Sequence, residues 1–238
     1  MKYLKITISA LFSLLVFSGC SENNSITTVQ FDEREKGIDP YQVRYLFSNN
    51  MLRVDDNSDE GDFVLYDDEK RIIYSVNHDD ATILIVKNTD WDMPKFEFDR
   101  NVTWKAIEDA PKFESKTVLN YWLSADSTVC TEAQVVEGLL LDESLMLQRY
   151  RQTLSSAQVA SLAATPEDMR TPCLLIDKVY NAGSAFEKGF PIQQWHKDGL
   201  QRMMTTYKEN EEFNPKLFEL PKDYKEYSIG DNLGFGER

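Results

Sequence analysis

Residues 63–86 read FVLY-DDEK-RIIYSV-NHDDA-TILIV. Three apolar runs of four to six residues, rich in Val, Ile, Leu and Tyr, are separated by short acidic segments that have no apolar periodicity of their own. Runs of this length are too short for helices and match strands, and the polar segments match hairpin turns. Upstream, Thr27–Phe31, Tyr41–Phe47 and Met51–Val54 repeat the pattern, with Asn49-Asn50 as the turn between the last two. Six short strands joined by tight turns predict an antiparallel meander. Downstream, β-like stretches at Lys95–Phe98, Val102–Ile107, Thr117–Leu123 and Val129–Val136 extend the sheet.

Between residues 142 and 187 the apolar period becomes helical. Leu147, Tyr150, Leu154 and Ala157 fall on one face, with Asp142 placed to cap. A second helix is expected from Thr171-Pro172, with Thr as cap and Pro at the first helical position, its face being Leu175, Val179, Ala182 and Phe186 and its end Gly189. Strand pattern returns at Pro191–Trp195 and Leu200–Tyr207. The fold expected is one α+β domain over residues 29–228: a long antiparallel, strongly curved sheet, a half-open barrel, with two helices inserted before the last strands. Residues 229–238 are expected to form a flexible tail.

The chain has 238 residues, 26 Lys+Arg against 40 Asp+Glu, and a net charge of −14. A field of that sign repels phosphate backbones and argues against nucleic acid as a partner. With 42% hydrophobic residues there is material for a packed core.

The first residues, MKYLKITISALFSLLVFSGCS, place Lys2 and Lys5 before an apolar run from Ile6 to Phe17. That is the pattern of a secretory signal peptide over residues 1–19, too short for the roughly 20 residues a membrane-spanning helix needs. Phe17-Ser18-Gly19-Cys20 resembles the lipobox of bacterial lipoproteins, with Phe17 where the family has leucine. The resemblance implies acylation of Cys20, a short tether over residues 20–28, and membrane attachment through the acyl chains. Ser21, where aspartate would signal retention at the inner membrane, implies the outer membrane, facing the periplasm. An exported chain with an incidental cysteine is the other reading. Loss of the leader removes two lysines and no acid, so the mature chain carries −16 and gains nothing from anionic lipid.

If Cys20 is acylated, Cys130 and Cys173 remain in an oxidising compartment and are expected to form a disulfide that pins the second helix to the sheet. A metal pair or a reactive thiol would need neighbours these cysteines lack, because there is no CxxC and the only histidines are His78 and His196.

Lys188-Gly189-Phe190-Pro191-Ile192, then Gly199-Leu200, then Leu217–Tyr224 with its F-x-x-P-x-x-Y spacing, follow the meander and helices. This order resembles the lipoprotein-localisation carrier and receptor superfamily of the bacterial envelope. The resemblance implies an acyl chain or other apolar ligand, or a lipid-bearing client, held inside the curved sheet, and no catalysis. No family motif aligns to name individual ligand contacts.

No catalytic or cofactor motif is present: GxSxG, SxxK, a Walker loop, GxGxxG and CxxCH are all missing, so no cofactor and no catalytic residue are expected. His78 reads as a solvated turn residue and His196 as a surface or rim residue of a strand. Asp55–Asp62 loosely copies a calcium loop, with Asp56, Ser58 and Glu60 before Gly61 and Asp67 twelfth, although an acidic hairpin turn explains the composition and no metal site is expected. The function expected is a non-catalytic lipoprotein binding an apolar ligand in a cavity of several hundred Å³, lined mainly by Trp, Phe, Leu and Met. The alternatives are an envelope interaction or assembly module with a filled core, marked by an exposed apolar patch, and, third, an enzyme of unknown class.

Overall fold

The computed structural model describes residues 25–89, 95, 97–108 and 111–229. The expected leader, Cys20 and the tail from residue 230 lie outside them. Alternating runs with polar turns fold as the pattern requires: β1 (Ser25–Arg34), β2 (Tyr41–Ser48), β3 (Met51–Asp55), β4 (Phe63–Asp67), β5 (Ile72–Asn77) and β6 (Thr82–Lys87). Each pairs antiparallel with the next. Asn49 takes φ +44 in the β2–β3 turn, a conformation asparagine tolerates better than most residues.

A second antiparallel block follows: β7 (Arg100–Ala106), β8 (Val118–Ala125), β9 (Thr128–Glu137), β10 (Gly189–His196) and β11 (Gln201–Glu212). The two blocks join at one seam, where β1 pairs antiparallel with β11. A last strand, β12 (Lys225–Ser228), lies parallel to β6, and the twelve-stranded order is β12-β6-β5-β4-β3-β2-β1-β11-β10-β9-β8-β7. The sheet is open, with β12 and β7 at its edges.

Helix α1 (Leu141–Ser161) packs against β5, β6 and β10, strands far apart in the order, so the sheet curves around it. Leu147 and Tyr150 anchor that face in a core with Phe31, Tyr45, Tyr66 and Phe190. Burying each such side chain stabilises the fold by about 1.5–3 kcal/mol. Met146 joins this core and Leu154 and Ala157 pack against it, and polar residues hold the helix as well. Ser155 Oγ donates to the Val179 carbonyl at 2.9 Å, Ser156 Oγ donates to the Thr89 carbonyl at 2.7 Å, and Arg149 forks onto Asp68.

Because successive strand residues face opposite ways, Tyr66 faces α1 while Phe63 and Leu65 face outward. There they form a second cluster with Val76 and Ile83, covered by Phe218, Leu220 and Tyr224 from the segment after β11. The buried Arg53 guanidinium beneath that segment is fully engaged. It pairs with Asp55 at 2.7 Å, donates to the Leu217 carbonyl at 2.8 Å and lies over the Phe63 ring at 3.9 Å. Unpaired, such a charge would cost several kcal/mol.

Five local expectations need correction. β1 starts at Ser25, inside the expected tether, because Ile26 and Thr27 are buried in the sheet. Lys95, Glu97 and Phe98 form no strand. Asp142 lies in the first turn of α1 and does not cap it; Leu140, at φ +42, precedes the helix. The second helix is one turn only, α2 (Pro172–Leu175), capped as expected by the Thr171 side chain, which accepts from Leu174 N–H at 3.2 Å. It then widens to a π turn over Ile176–Tyr180 and breaks at Gly183, φ +81. A Cβ there would stand 2.8 Å from the Gln148 carbonyl oxygen, so the segment reaches α1 only because that position is glycine. Finally, β12 forms at the end of the expected domain, just ahead of the expected tail, where the sequence pattern marks no strand. Among the described residues no helix is long and apolar enough to cross a membrane.

Candidate functional site

Cys130 in β9 and Cys173 in α2 form the expected disulfide, with Cα atoms 5.0 Å apart, and it ties α2 to the sheet. The π turn that follows projects Asp177 back toward the sheet, where β9 supplies Thr131 and β10 supplies His196. Thr131 Oγ1 donates to Asp177 Oδ1 at 3.0 Å, His196 Nδ1 lies 3.3 Å from Asp177 Oδ2 and 3.1 Å from Thr131 Oγ1, and Lys178 Nζ lies 2.8 Å from Oδ2. Burial on its own would raise the Asp177 pKa. The hydrogen bond and charge of His196, with Lys178 beside it, outweigh burial and hold the carboxyl well below the usual range. His196 is therefore no rim residue, its side chain being 12% exposed.

This cluster divides two cavities, and Asp177, Lys178 and His196 line both. The larger, about 480 Å³, lies between the second half of α1, the 176–186 segment and strands β8–β10. Its apolar wall is Leu154, Ala157, Phe186, Leu200 and Ile229; its polar wall adds Arg151, Gln158, Ser161, Asn181 and Gln194. The size is that expected, but the lining differs: among the described residues no Trp and no Met contribute, Trp104 packing in a separate cluster with Tyr121, Trp195 being exposed and Met146 lying in the core around α1. The buried Tyr121 hydroxyl is 2.6 Å from Ser184 Oγ, which donates to the Asn181 carbonyl at 2.8 Å. Burial raises the Tyr121 pKa, so it stays a neutral donor. The buried Asn181 side-chain oxygen has no hydrogen-bond partner among the described residues. The smaller cavity, about 440 Å³, is walled by the disulfide, Thr171, Lys197 and Asp198.

Chemically, a carboxylate orienting His Nδ1 leaves Nε2 as the nitrogen that could exchange a proton. The side-chain contacts of the ring among the described residues are at Nδ1.

The acidic loop has other work. Asp55 binds Arg44 and Arg53, Asp56 accepts from Ser58 N–H at 3.1 Å, and Asp67 pairs with Lys70 at 2.7 Å. Among the described residues no group of three or more His, Cys, Asp or Glu could hold a metal ion. His78 sits in its predicted turn, but its ring is half-buried and engaged: Nδ1 is 2.6 Å from the Tyr224 hydroxyl, which fastens the C-terminal segment.

No known protein family matches the chain, and no curated protein does. Two crystal forms of PNGF-II are similar to it at 8% identity, with TM-scores of 0.41 and 0.42, covering 86% of this chain. The chain spans about a third of that protein's length (31% and 32%).

Proposed function

We propose that this protein is a non-catalytic lipoprotein of the bacterial cell envelope, held at the outer membrane by acyl chains on Cys20, that binds a small amphipathic ligand in the 480 Å³ cavity. The cavity is the observation that carries the reading. Its volume falls in the range of small-molecule sites, and it combines an apolar wall with a few converging polar groups. In this reading the open, curved sheet is the half-open barrel of the lipoprotein-localisation superfamily, with α1 and the 176–186 segment shaping its mouth. The mixed lining favours a ligand with a polar end over a bare acyl chain. Native mass spectrometry of the protein extracted from envelopes tests this. A retained small molecule, lost when Leu154→Trp fills the cavity, is expected; a protein that retains nothing and binds no hydrophobic probe overturns it.

One observation favours the assembly reading. Trp195 on β10 and Met203 on β11 are 36% and 44% exposed. The register puts them on one face of the sheet, since Gln193 pairs with Met203 and Trp195 with Gln201. Cross-linking in intact envelopes separates the two readings: recurrent protein adducts at Trp195 favour assembly.

A further inference from the structure

We infer that the ligand of the 480 Å³ cavity carries an oxyanion head group, a carboxylate or phosphate, and that Arg151 receives it. The inference rests on the cavity being a ligand site. In a chain with 40 acids against 26 bases, four partly or fully buried arginines find carboxylates: Arg44 and Arg53 share Asp55, Arg149 has Asp68, and Arg202 has Glu33 at 2.6 Å. Arg151 is half-buried in the cavity wall and has no ion-pair partner among the described residues; the Tyr150 ring, 5.9 Å away, is its charge-stabilising neighbour.

The cavity does not supply the missing charge. Asp177 is the one acid among its lining residues, and Thr131, His196 and Lys178 already occupy it. The lining therefore keeps an uncompensated positive charge inside a strongly negative molecule. Arg151 also has apolar company on its own helix: Leu154 and Ala157 follow at helical spacing and line the same cavity. A planar guanidinium at one end of an apolar wall matches an anion on an apolar body, which it would bind through two parallel hydrogen bonds. A second cation, Lys178, lies within the lining.

The test uses the exported chain carrying Cys20→Ala, which removes the acylation site and with it the need for detergent. Decanoate, decyl phosphate, decanol and decyltrimethylammonium, each below its micellar concentration, compete with a fluorescent hydrophobic probe for the protein. Either anion is expected to bind about tenfold or more tighter than decanol, the cation weakest, since a charge-assisted pair in a partly buried site commonly reaches that factor. Arg151→Gln should bring anions and decanol to within about threefold while Arg151→Lys keeps most of the preference. The ratio of decanoate to decyl phosphate identifies the head group. Decanol binding as tightly as the anions, or a preference that survives Arg151→Gln, overturns the inference and leaves the cavity reading standing. If none of the four compounds competes and the probe itself does not bind, both fail.

Discussion

Asp177 shows how one residue joins stability to the site. An unfolded aspartate titrates near 3.9, whereas folded Asp177 ionises well below that, so its network adds stability above the unfolded value. That contribution is lost as the pH falls from about 5 through the folded pKa. Asp177→Asn keeps the shape but removes the charge, and is expected to cost about 1–3 kcal/mol at pH 7. The cost should shrink toward pH 3, which urea midpoints at the two pH values would show; an equal loss at both would mean the charge does no work. None of this was legible beforehand. Thr131, Asp177 and His196 lie on three separate elements, and no spacing in the sequence marks their meeting. The contact of His78 with Tyr224 was hidden for the same reason, the two lying 146 residues apart.

Elements whose local pattern agrees with their environment were readable. The strands β2–β6 stop within a residue or two of the expected limits, because the apolar runs must be buried and the polar turn residues between them favour water, Asp55 and Asp67 being buried at strand ends only with Arg53 and Lys70 as partners. Helix α1 was readable through Leu147, Tyr150, Leu154 and Ala157, all of which pack in or against the core; the buried Ser144, Ser155 and Ser156 on it carry no apolar signal. The second helix was misread because apolar residues at helical spacing serve three clusters: Leu175 and Val179 in one, Ile176 in another, Phe186 in the main core. What holds that broken segment in place is the disulfide, which closes a separation of 43 residues. Reduction is expected to cost about 2–5 kcal/mol, and each kcal/mol to lower the melting midpoint by about 2–4 °C for a chain of this size. Thermal melts with and without reductant, calibrated by thiol titration, check it. Two free thiols in the unreduced protein would refute the bond.

At the scale of the whole molecule, the surface charge leaves membrane attachment to lipid alone under the proposed reading. Each buried CH₂ of an acyl chain contributes about 0.8 kcal/mol, and two or more chains make the anchor stable. Wild type is accordingly expected to take up labelled palmitate and partition into detergent, and Cys20→Ala to take up no label and accumulate as a soluble protein or as uncleaved precursor. An unlabelled wild type would end the lipoprotein reading while leaving the cavity and its ligand untouched. The open α+β sheet itself was legible from strand count and polar turns. The pairing of β1 with β11 was not, because nothing local in either strand names its partner.

That seam sets the order of events during folding. The first block can form as soon as it is made, but β1 then presents an open edge of main-chain donors and acceptors until Gln201–Glu212 arrives, close to the end of the chain. Loop closure over so long a separation is entropically slow, and an unsatisfied inner strand is the kind of edge on which chains aggregate. A nascent chain stalled before residue 201 would thus be a sticky half-sheet. The same pairing, once made, sets β1 and β11 side by side at the centre of one sheet, so neither strand can leave without breaking hydrogen bonds on both of its sides.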